Sequence, residues 1–303
     1  MQWFNNASIT TPLLLFSLQN FLNPGFVATT MKTVYLLLFI LFPCYTNAES
    51  LIYLSNTAKY ICEDSEGHSY KERFRFIHTL SNNVSTGDVE YYLNFLNQPY
   101  KKGSLREGEF NTLKNDLADK LLLQRTLPQG FTEHFLQMID HQALGVVWRD
   151  YVLQKLPDLY ERVEESERFQ VLDKLWEETG HTEHTFSGTA LLGLHRLSKV
   201  YPELIDPNRL AEQALLVVKA DTFPEQNKIT ALRLAGELGH PEALNFAREL
   251  LDSESSVMLR ASAIGVLGLL GQTSDKEFLH TYAKSSDFRL RRAAESALVR
   301  LSD

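Results

Sequence analysis

The amino-acid sequence predicts an all-α protein, an α-solenoid in which antiparallel helix pairs stack one upon the next. Three observations predict this fold: an internal repeat, helical spacing within each copy, and helix-ending signals between the helices. The repeat is clearest near the C-terminus, where five positions recur at one constant interval. They are Leu259, Arg260, Ala263, Leu267 and Leu270 in one copy, and Leu290, Arg291, Ala294, Leu298 and Leu301 in the next. A fixed period of this length is typical of stacked repeat architectures.

Each copy also carries the signals of a helix pair. Ala263, Leu267 and Leu270 stand at i, i+4 and i+7, which places them on one face of a helix. Gly271 follows where this first helix would end, and predicts a left-handed cap. A second helix is predicted to begin in 274–277, because its sequence Ser-Asp-Lys-Glu matches a capping box.

The pattern continues toward the N-terminus with changing spacing. The next copy upstream aligns Lys228 with Arg260, which keeps the basic position. When the pattern is moved upstream by a longer interval, it matches Ala190 but places Ser187 at the basic position, so this copy lacks the charge. A second shift of that longer length finds only Leu153 and Leu156. The repeats are therefore expected within 142–303 and are clearest over 187–303.

The repeated motif resembles a known family. Residues 259–271 and 287–298 both place Leu-Arg three residues before Ala, with further apolar residues at helical spacing. This resembles the first helix of a HEAT-type repeat, and implies an armadillo-like superhelix whose inner face is lined by the second helix of each pair. We expect Arg260 and Arg291 to contact a carboxylate or a carbonyl in the neighbouring turn. The structural repeat positions comprise the basic residues and their nearest acids: Lys228, Arg260, Arg291, Asp252 and Asp287.

The N-terminal half is predicted to be helical without a clean period. We interpret residues 49–141 as an atypical, capping start of the same array, since terminal repeats must present one face to water. A separate small helical domain is the alternative. Residues 113–116 and 148–151 are similar to segments of uncharacterised exported bacterial HEAT-repeat proteins. Trp148 and Tyr151 share a helical face, which favours a place in the core, and Arg149-Asp150 is expected to be a structural ion pair or cap.

The N-terminus has the pattern of an export signal. Residues 31–48 combine Lys32, an apolar core over 34–42 and small residues before a predicted cut at Glu49. Nine apolar residues are too few to span a bilayer, which takes about 20. Residues 1–30 are then an upstream extension, and one long signal from Met1 is the alternative. The protein is expected to be exported in a bacterium, periplasmic or secreted, with no stable membrane span after cleavage; lipid attachment at Cys44 is disfavoured because Phe42-Pro43 precedes it.

Charge and cysteine content limit the function classes. The chain has 30 basic and 38 acidic residues, a formal net charge of −8. This disfavours nucleic acid as a partner, because duplex binders carry basic patches. Cleavage before Glu49 would leave Cys62 as a single thiol, so an internal disulfide is not expected. The acidic stretch 158–183 is either a site for a basic partner or cation, or a solvated helix face.

Two functions are consistent with the sequence. The sequence shows no Gly-rich phosphate loop, no Gly-x-Ser-x-Gly motif and no cofactor signature. This favours a non-enzymatic scaffold that binds a protein or peptide along the inner face, with oligomeric state left open. The alternative is an enzyme or enzyme accessory, lyase-like or metal-dependent, with candidate ligands His181, Glu183 and His184. The partner-binding candidates lie on the predicted second helices: Glu212, Gln213, Asn245, Arg248, Glu249, His280 and Lys284.

Overall fold

A computed structural model of the protein describes residues 55–64, 68–128 and 130–302. Within these ranges all regular secondary structure is helical. The expected upstream extension 1–30, the signal 31–48 and its cleavage site lie outside the described residues.

Fifteen helices run through the described part of the chain. They are α1 Asn56–Cys62, α2 Tyr70–Thr79, α3 Thr86–Leu96, α4 Glu107–Leu122, α5 Phe131–Asp140, α6 Val146–Gln154, α7 Leu156–Arg162, α8 Glu165–Glu178, α9 Phe186–Val200, α10 Pro207–Lys219, α11 Glu225–Glu237, α12 Pro241–Asp252, α13 Val257–Leu270, α14 Asp275–Tyr282 and α15 Phe288–Arg300.

The helices form two layers. Seven of them, α2, α4, α6, α9, α11, α13 and α15, contact one another in consecutive order and form what we call the stacked layer. The intervening α1, α3, α5, α8, α10, α12 and α14 form the flanking layer, and the short α7 lies beside α8 and α9. Because short loops join contacting neighbours, the pairs are antiparallel. The predicted α-solenoid is therefore confirmed.

The core lies between the layers and between successive stacked helices. The repeat positions Ala263 and Leu267 have no exposed side-chain surface, and Leu290 and Ala294 are buried as well. Burial of these small and medium apolar side chains, at about 25 cal/mol per Å² of apolar surface, is what holds each helix pair on the next.

Two predicted helix boundaries differ in detail. Gly271 ends α13 in an extended conformation (φ −67°) rather than a left-handed cap, and its N–H donates to the Leu267 carbonyl. The capping box at 274–277 does not form, because Ser274 is itself helical and makes no side-chain cap. The Asp275 carboxylate instead accepts a hydrogen bond from the Gln272 N–H at 2.6 Å, which closes the turn from the first residue of α14.

The stacked helices approach one another closely. A Cβ on Gly268 would lie 2.7 Å from the Ala297 Cα of α15, and a Cβ on Gly236 would lie 2.8 Å from the Val266 Cγ2 of α13. In contrast, α8, α10, α12 and α14 of the flanking layer pack mainly on the stacked layer and contact each other marginally at most. The stacked helices are therefore more closely spaced than the flanking helices. The expectation that the second helix of each pair lines the inner face stays a prediction.

One repeat position can be followed through all seven stacked helices. In six of the seven copies the residue at the basic position contacts the end of the preceding flanking helix or the segment that links it to the stacked helix. Five of the seven donate a hydrogen bond to a backbone carbonyl there. These are Arg73 Nε to His68 O (3.2 Å), Lys114 Nζ to Leu96 O (2.7 Å), Arg149 Nε to Ile139 O (2.6 Å), Ser187 Oγ to Thr179 O (2.7 Å) and Arg291 Nη1 to Ser285 O (2.8 Å).

The remaining two positions depart from this pattern. Lys228 Nζ lies 3.5 Å from Asp221 Oδ1 in the preceding turn. Among the described residues Arg260 has no hydrogen-bond partner, and its Nε is buried. The expected contact of Arg291 with a carbonyl is confirmed, whereas Arg260 makes no such contact with a described carboxylate, Asp252 included, or carbonyl. Asp287 caps α15 and pairs with Arg289 at 2.8 Å instead of Arg291, because the N-cap carboxylate faces the first-turn amides.

Candidate functional site

The candidate metal ligands do not converge. Glu183 forms an ion pair with Arg149 (Oε2 to Nη1, 3.6 Å), and the His181 ring packs on Phe186 with ring centroids 5.1 Å apart. His184 adopts a positive φ of 41°, and its carbonyl accepts a hydrogen bond from Asn227 Nδ2 at 2.8 Å. In the described ranges no group of three or more His, Cys, Asp or Glu side chains is placed to hold a metal ion. The contacts of these residues instead stabilise the turn before α9.

The partner-binding candidates lie on the flanking layer. Glu212, Asn245, Glu249, His280 and Lys284 are exposed, and Gln213 is half-buried. Their exposure makes them accessible, but the splayed spacing of α10, α12 and α14 leaves them on separate ridges rather than on one continuous surface.

Arg248 is not a free surface residue. Its Nε and Nη2 donate to Asp275 Oδ1 and Oδ2 at 3.0 and 2.9 Å, a bidentate pair that joins α12 to α14. The Arg248 hydrogen bonds lower the pKa of Asp275 below its ordinary value. The Arg248 guanidinium thus links two flanking helices and is already paired within the array.

The acidic stretch is partly neutralised within the fold. Lys174 is buried and lies within 3.0 Å of three carboxylates, two of them from this stretch. Arg149 and Arg196 form ion pairs with three more acids of this stretch. The acids with partners are Asp158, Glu161, Glu177, Glu178 and Glu183. This arrangement favours a structural role for much of the charge in 158–183.

The expected Arg149–Asp150 ion pair does not form. Arg149 is buried, with its guanidinium over the Phe186 ring at 4.8 Å and its Nε on the carbonyl of Ile139. Asp150 accepts from Thr189 Oγ1 at 2.8 Å, because neighbouring residues on a helix point in different directions. Trp148 is buried as predicted.

Three grooves lie along the exposed side of the stacked layer. One is lined by α6 and the starts of α9 and α11, a second by α6, α7 and α9, and a third by α11, α13 and α15. The third has a volume of about 350 Å³. Neighbouring grooves share helices: α6 and α9 line both the first and the second, and α11 lines both the first and the third.

The grooves are also lined by exposed apolar side chains on three of the stacked helices. They are Val147 on α6, Leu192 on α9, and Met258 and Leu269 on α13. Their exposed fractions run from 44 % for Leu269 to 52 % for Leu192. Apolar side chains that recur along one face of a repeat array mark an interaction surface more strongly than isolated ones do. On the flanking layer, by contrast, Phe169 and Leu216 are exposed singly on α8 and α10.

The third groove combines an apolar floor with charged walls. Ile229, Met258 and Leu269 supply apolar surface, and Arg233 and Arg300 stand at its sides. The acid on this wall, Glu237, lies 3.5 Å from His195 Nε2. The stacked face can therefore bind a ligand through both apolar burial and charge.

A comparison with protein-family profiles supports the repeat assignment. A profile described as HEAT repeats matches residues 213–299, which cover α11, α12, α13 and α14 with most of α10 and α15. The chain contains HEAT repeats. The match includes α11, α13 and all of α15 except its last residue, so all groove-lining residues other than Arg300 lie within the matched HEAT repeats.

Comparisons with whole proteins do not extend this assignment. No curated protein matches the sequence. Among solved structures, human deoxyhypusine hydroxylase in complex with glycerol aligns with 15 % identity over 81 % of this chain and 94 % of that one, with a TM-score of 0.36. A TM-score this low does not establish a shared fold or activity. In the described residues no helix is long and apolar enough to cross a membrane.

Sequence reasoning missed the repeat position in the first three stacked helices. Arg73, Lys114 and Arg149 are buried and occupy it, and Ser187 fills the same role with a hydroxyl group. The signal was present in part, because a basic residue precedes apolar residues at i+4 in each of the three copies. Lys114 is further held between the rings of Phe110 and Trp148, at 4.7 and 5.2 Å.

Proposed function

We propose that the protein is a non-enzymatic scaffold that binds an extended segment of another protein along the exposed face of its stacked layer. The observation that carries this proposal is the set of three grooves lined by consecutive stacked helices, together with the exposed apolar side chains that line them. A repeat array presents a long surface that suits extended protein ligands. HEAT repeats are interaction modules in general, which agrees with this proposal.

The stacked layer is a better candidate than the flanking layer for a physical reason. An extended ligand must contact several repeats at once to gain affinity from each of them. Consecutive stacked helices pack directly on one another, whereas α10, α12 and α14 of the flanking layer meet mainly through side-chain contacts such as the Arg248–Asp275 pair. Exposed apolar side chains such as Leu192 and Leu269 lose unfavourable contact with water when a ligand covers them.

We also propose that the protein acts outside the cytoplasm of a bacterium. The support is the short basic start at Lys32 with the apolar run 34–42 and the small residues that follow it. Sequencing the N-terminus of the native protein tests this. We expect it to begin at Glu49, and recovery of residues 1–30 on the native protein would show that the export proposal is wrong.

Site-specific photo-crosslinking in the native organism tests the binding face. A photoreactive phenylalanine analogue would replace Leu192 or Leu269 on the stacked layer, and Phe169 or Leu216 on the flanking layer as matched controls. All four positions are exposed and apolar, with exposed fractions from 44 % to 67 %, so nonspecific crosslinking should be similar at each of them. We expect a discrete protein adduct from Leu192 and Leu269 alone. Equal adducts from all four positions, or adducts from the flanking positions alone, would rule out the stacked face.

A further inference from the structure

The third groove differs from its surroundings in charge. The protein as a whole is acidic, with a formal net charge of −8, and many of its arginines are paired with carboxylates. Arg149, Arg196, Arg248 and Arg289 each lie within ion-pair distance of an acid.

The two arginines of the groove have no such partner. Arg233 on α11 and Arg300 on α15 are exposed, line the groove from opposite sides, and form no ion pair or hydrogen bond with any residue that the structure describes. An arginine fork that lacks a protein partner can receive a carboxylate through two parallel charge-assisted hydrogen bonds. Glu237 on the same wall is directed toward His195, at 3.5 Å, which leaves the two guanidinium groups free to meet an incoming acid.

The floor between the arginines is apolar and open. Met258 and Leu269 are 46 % and 44 % exposed, and Ile229 adds a partly buried side chain. Gly265, in the middle of α13, has nothing within 4 Å of the position that a Cβ would take. The missing side chain at Gly265 therefore keeps the centre of the groove open, and the volume of about 350 Å³ holds one or two apolar side chains of a ligand.

We infer that this groove binds an acidic, apolar peptide segment of a partner protein, with apolar side chains over Gly265 and carboxylates on Arg233 and Arg300. The inference rests on the proposed scaffold function and specifies the chemistry of the partner at one groove. Charge complementarity selects the acidic segment, because a basic segment would meet two unpaired arginines. The apolar floor selects against a purely polar segment, which would leave Met258 and Leu269 exposed to water.

Peptide selection against the full chain tests the inference without knowledge of the partner. A random twelve-residue displayed library would be panned on the wild-type protein and then depleted on Gly265→Trp, in which the indole fills the groove. Because a Cβ at Gly265 has nothing within 4 Å, the substitution does not force the helices apart, and this variant should melt at or slightly above the wild-type temperature. We expect the peptides that survive depletion to combine apolar residues with Asp or Glu.

A charge variant completes the test. Arg233→Gln together with Arg300→Gln should weaken a selected peptide about tenfold or more, since each removes charge-assisted hydrogen bonds. Lys284→Gln on the flanking layer is the matched control, and should bind as the wild type does. The weakening caused by the two arginine substitutions should diminish at high salt, because exposed charge pairs are screened.

The outcomes separate the inference from the proposed function. Groove-dependent peptides that are basic or uncharged would overturn the acidic assignment. A set with no groove-dependent peptides would overturn the site itself, while crosslinks at Leu192 would still support the scaffold. Loss of those crosslinks as well would show that the proposed function is wrong. Weakening by Lys284→Gln equal to that of the arginine pair would indicate long-range attraction in place of a site.

Discussion

Two glycines three residues apart on α13 should respond to alanine in opposite ways. Gly265 and Gly268 belong to the same helix and carry the same conformational cost. Gly in a helix interior is less favourable than Ala by roughly 0.5–1 kcal/mol. Gly265→Ala should therefore stabilise the protein by about that amount, since the new methyl group has nothing within 4 Å.

Gly268→Ala gains the same helix propensity but loses more in packing. Its methyl group would lie 2.7 Å from the Ala297 Cα and 2.8 Å from the Ala297 Cβ. Backbone atoms of α15 cannot rotate away as a flexible side chain can, so the two helices must separate. Overpacking of a tight core costs about 1–3 kcal/mol. Because the propensity gain cancels between the two variants, their difference isolates this packing cost.

Thermal unfolding followed by circular dichroism at 222 nm measures the difference. One kcal/mol shifts the melting temperature by about 2–4 °C in a chain of this size, so Gly268→Ala should melt about 2–12 °C below Gly265→Ala. Urea unfolding gives an independent check through the transition midpoint. If Gly268→Ala is as stable as Gly265→Ala, the close approach of α13 and α15 is wrong.

Three further predictions concern polar groups. Ser187→Ala should destabilise the protein by about 1–3 kcal/mol in urea unfolding, because a buried carbonyl loses its donor. Arg248→Glu should lower the free energy of unfolding by about 1–3 kcal/mol. This is less than the loss expected for a fully buried ion pair, because the Arg248 side chain is about one third exposed. Glu249→Arg should change the free energy of unfolding by less than about 0.5 kcal/mol. Burial lowers the pKa of Lys114 to about 7, whereas a lysine in the unfolded chain has a pKa of about 10.4. Between these two pH values the unfolded state binds more protons than the folded state. The free energy of unfolding should therefore rise with pH in this range, by up to roughly 1.4 kcal/mol per pH unit. Lys114→Met should remove this rise, which is best measured between pH 7 and 8, below the titration of Cys62 in the unfolded chain.

The sequence identifies the fold where the repeat keeps nearly constant spacing. The interval from Lys228 to Arg260 and the interval from Arg260 to Arg291 are almost equal, and simple shifts reveal them. Farther upstream the intervals that link Arg73, Lys114, Arg149 and Ser187 are longer and unequal, since the loops between helices differ in length. Loop length does not change the packing of a helix on its neighbours, so the structure keeps a register that a fixed period cannot follow.

The earliest recognised copy shows how this matters. Repeating the shift that links Ala231 to Ala190 aligns Leu194 with Leu153, whereas the donors Arg149 and Ser187 align Leu153 with Leu191. The two alignments differ by almost one helical turn, and therefore place leucine on the same face. Apolar pattern alone could not distinguish them, and the hydrogen-bond donor decides between them.

The candidate face could not be predicted because it depends on contacts distant in sequence. The close spacing of the stacked helices depends on contacts such as that of Gly268 with Ala297 on the next stacked helix, and no local signal reports this spacing. Likewise Arg248 has the pattern of a surface charge until Asp275, on a different helix, is seen opposite it. Periodicity identifies which residues are buried, whereas the partners of the polar residues follow from tertiary structure.

The stacked layer places packing and surface chemistry on different positions of each helix. Its inward positions are fixed by packing and hydrogen bonds, so they repeat from copy to copy. Its outward positions have no such constraint, and each groove therefore carries its own chemistry: Asp150 and His184 line the first, Arg196 the second, and Arg233 and Arg300 the third. Grooves that differ in charge along one face can distinguish the direction of a bound segment, because reversal would bring its acidic and basic groups to the wrong grooves. An array built from near-identical helices can in this way bind one partner in one orientation.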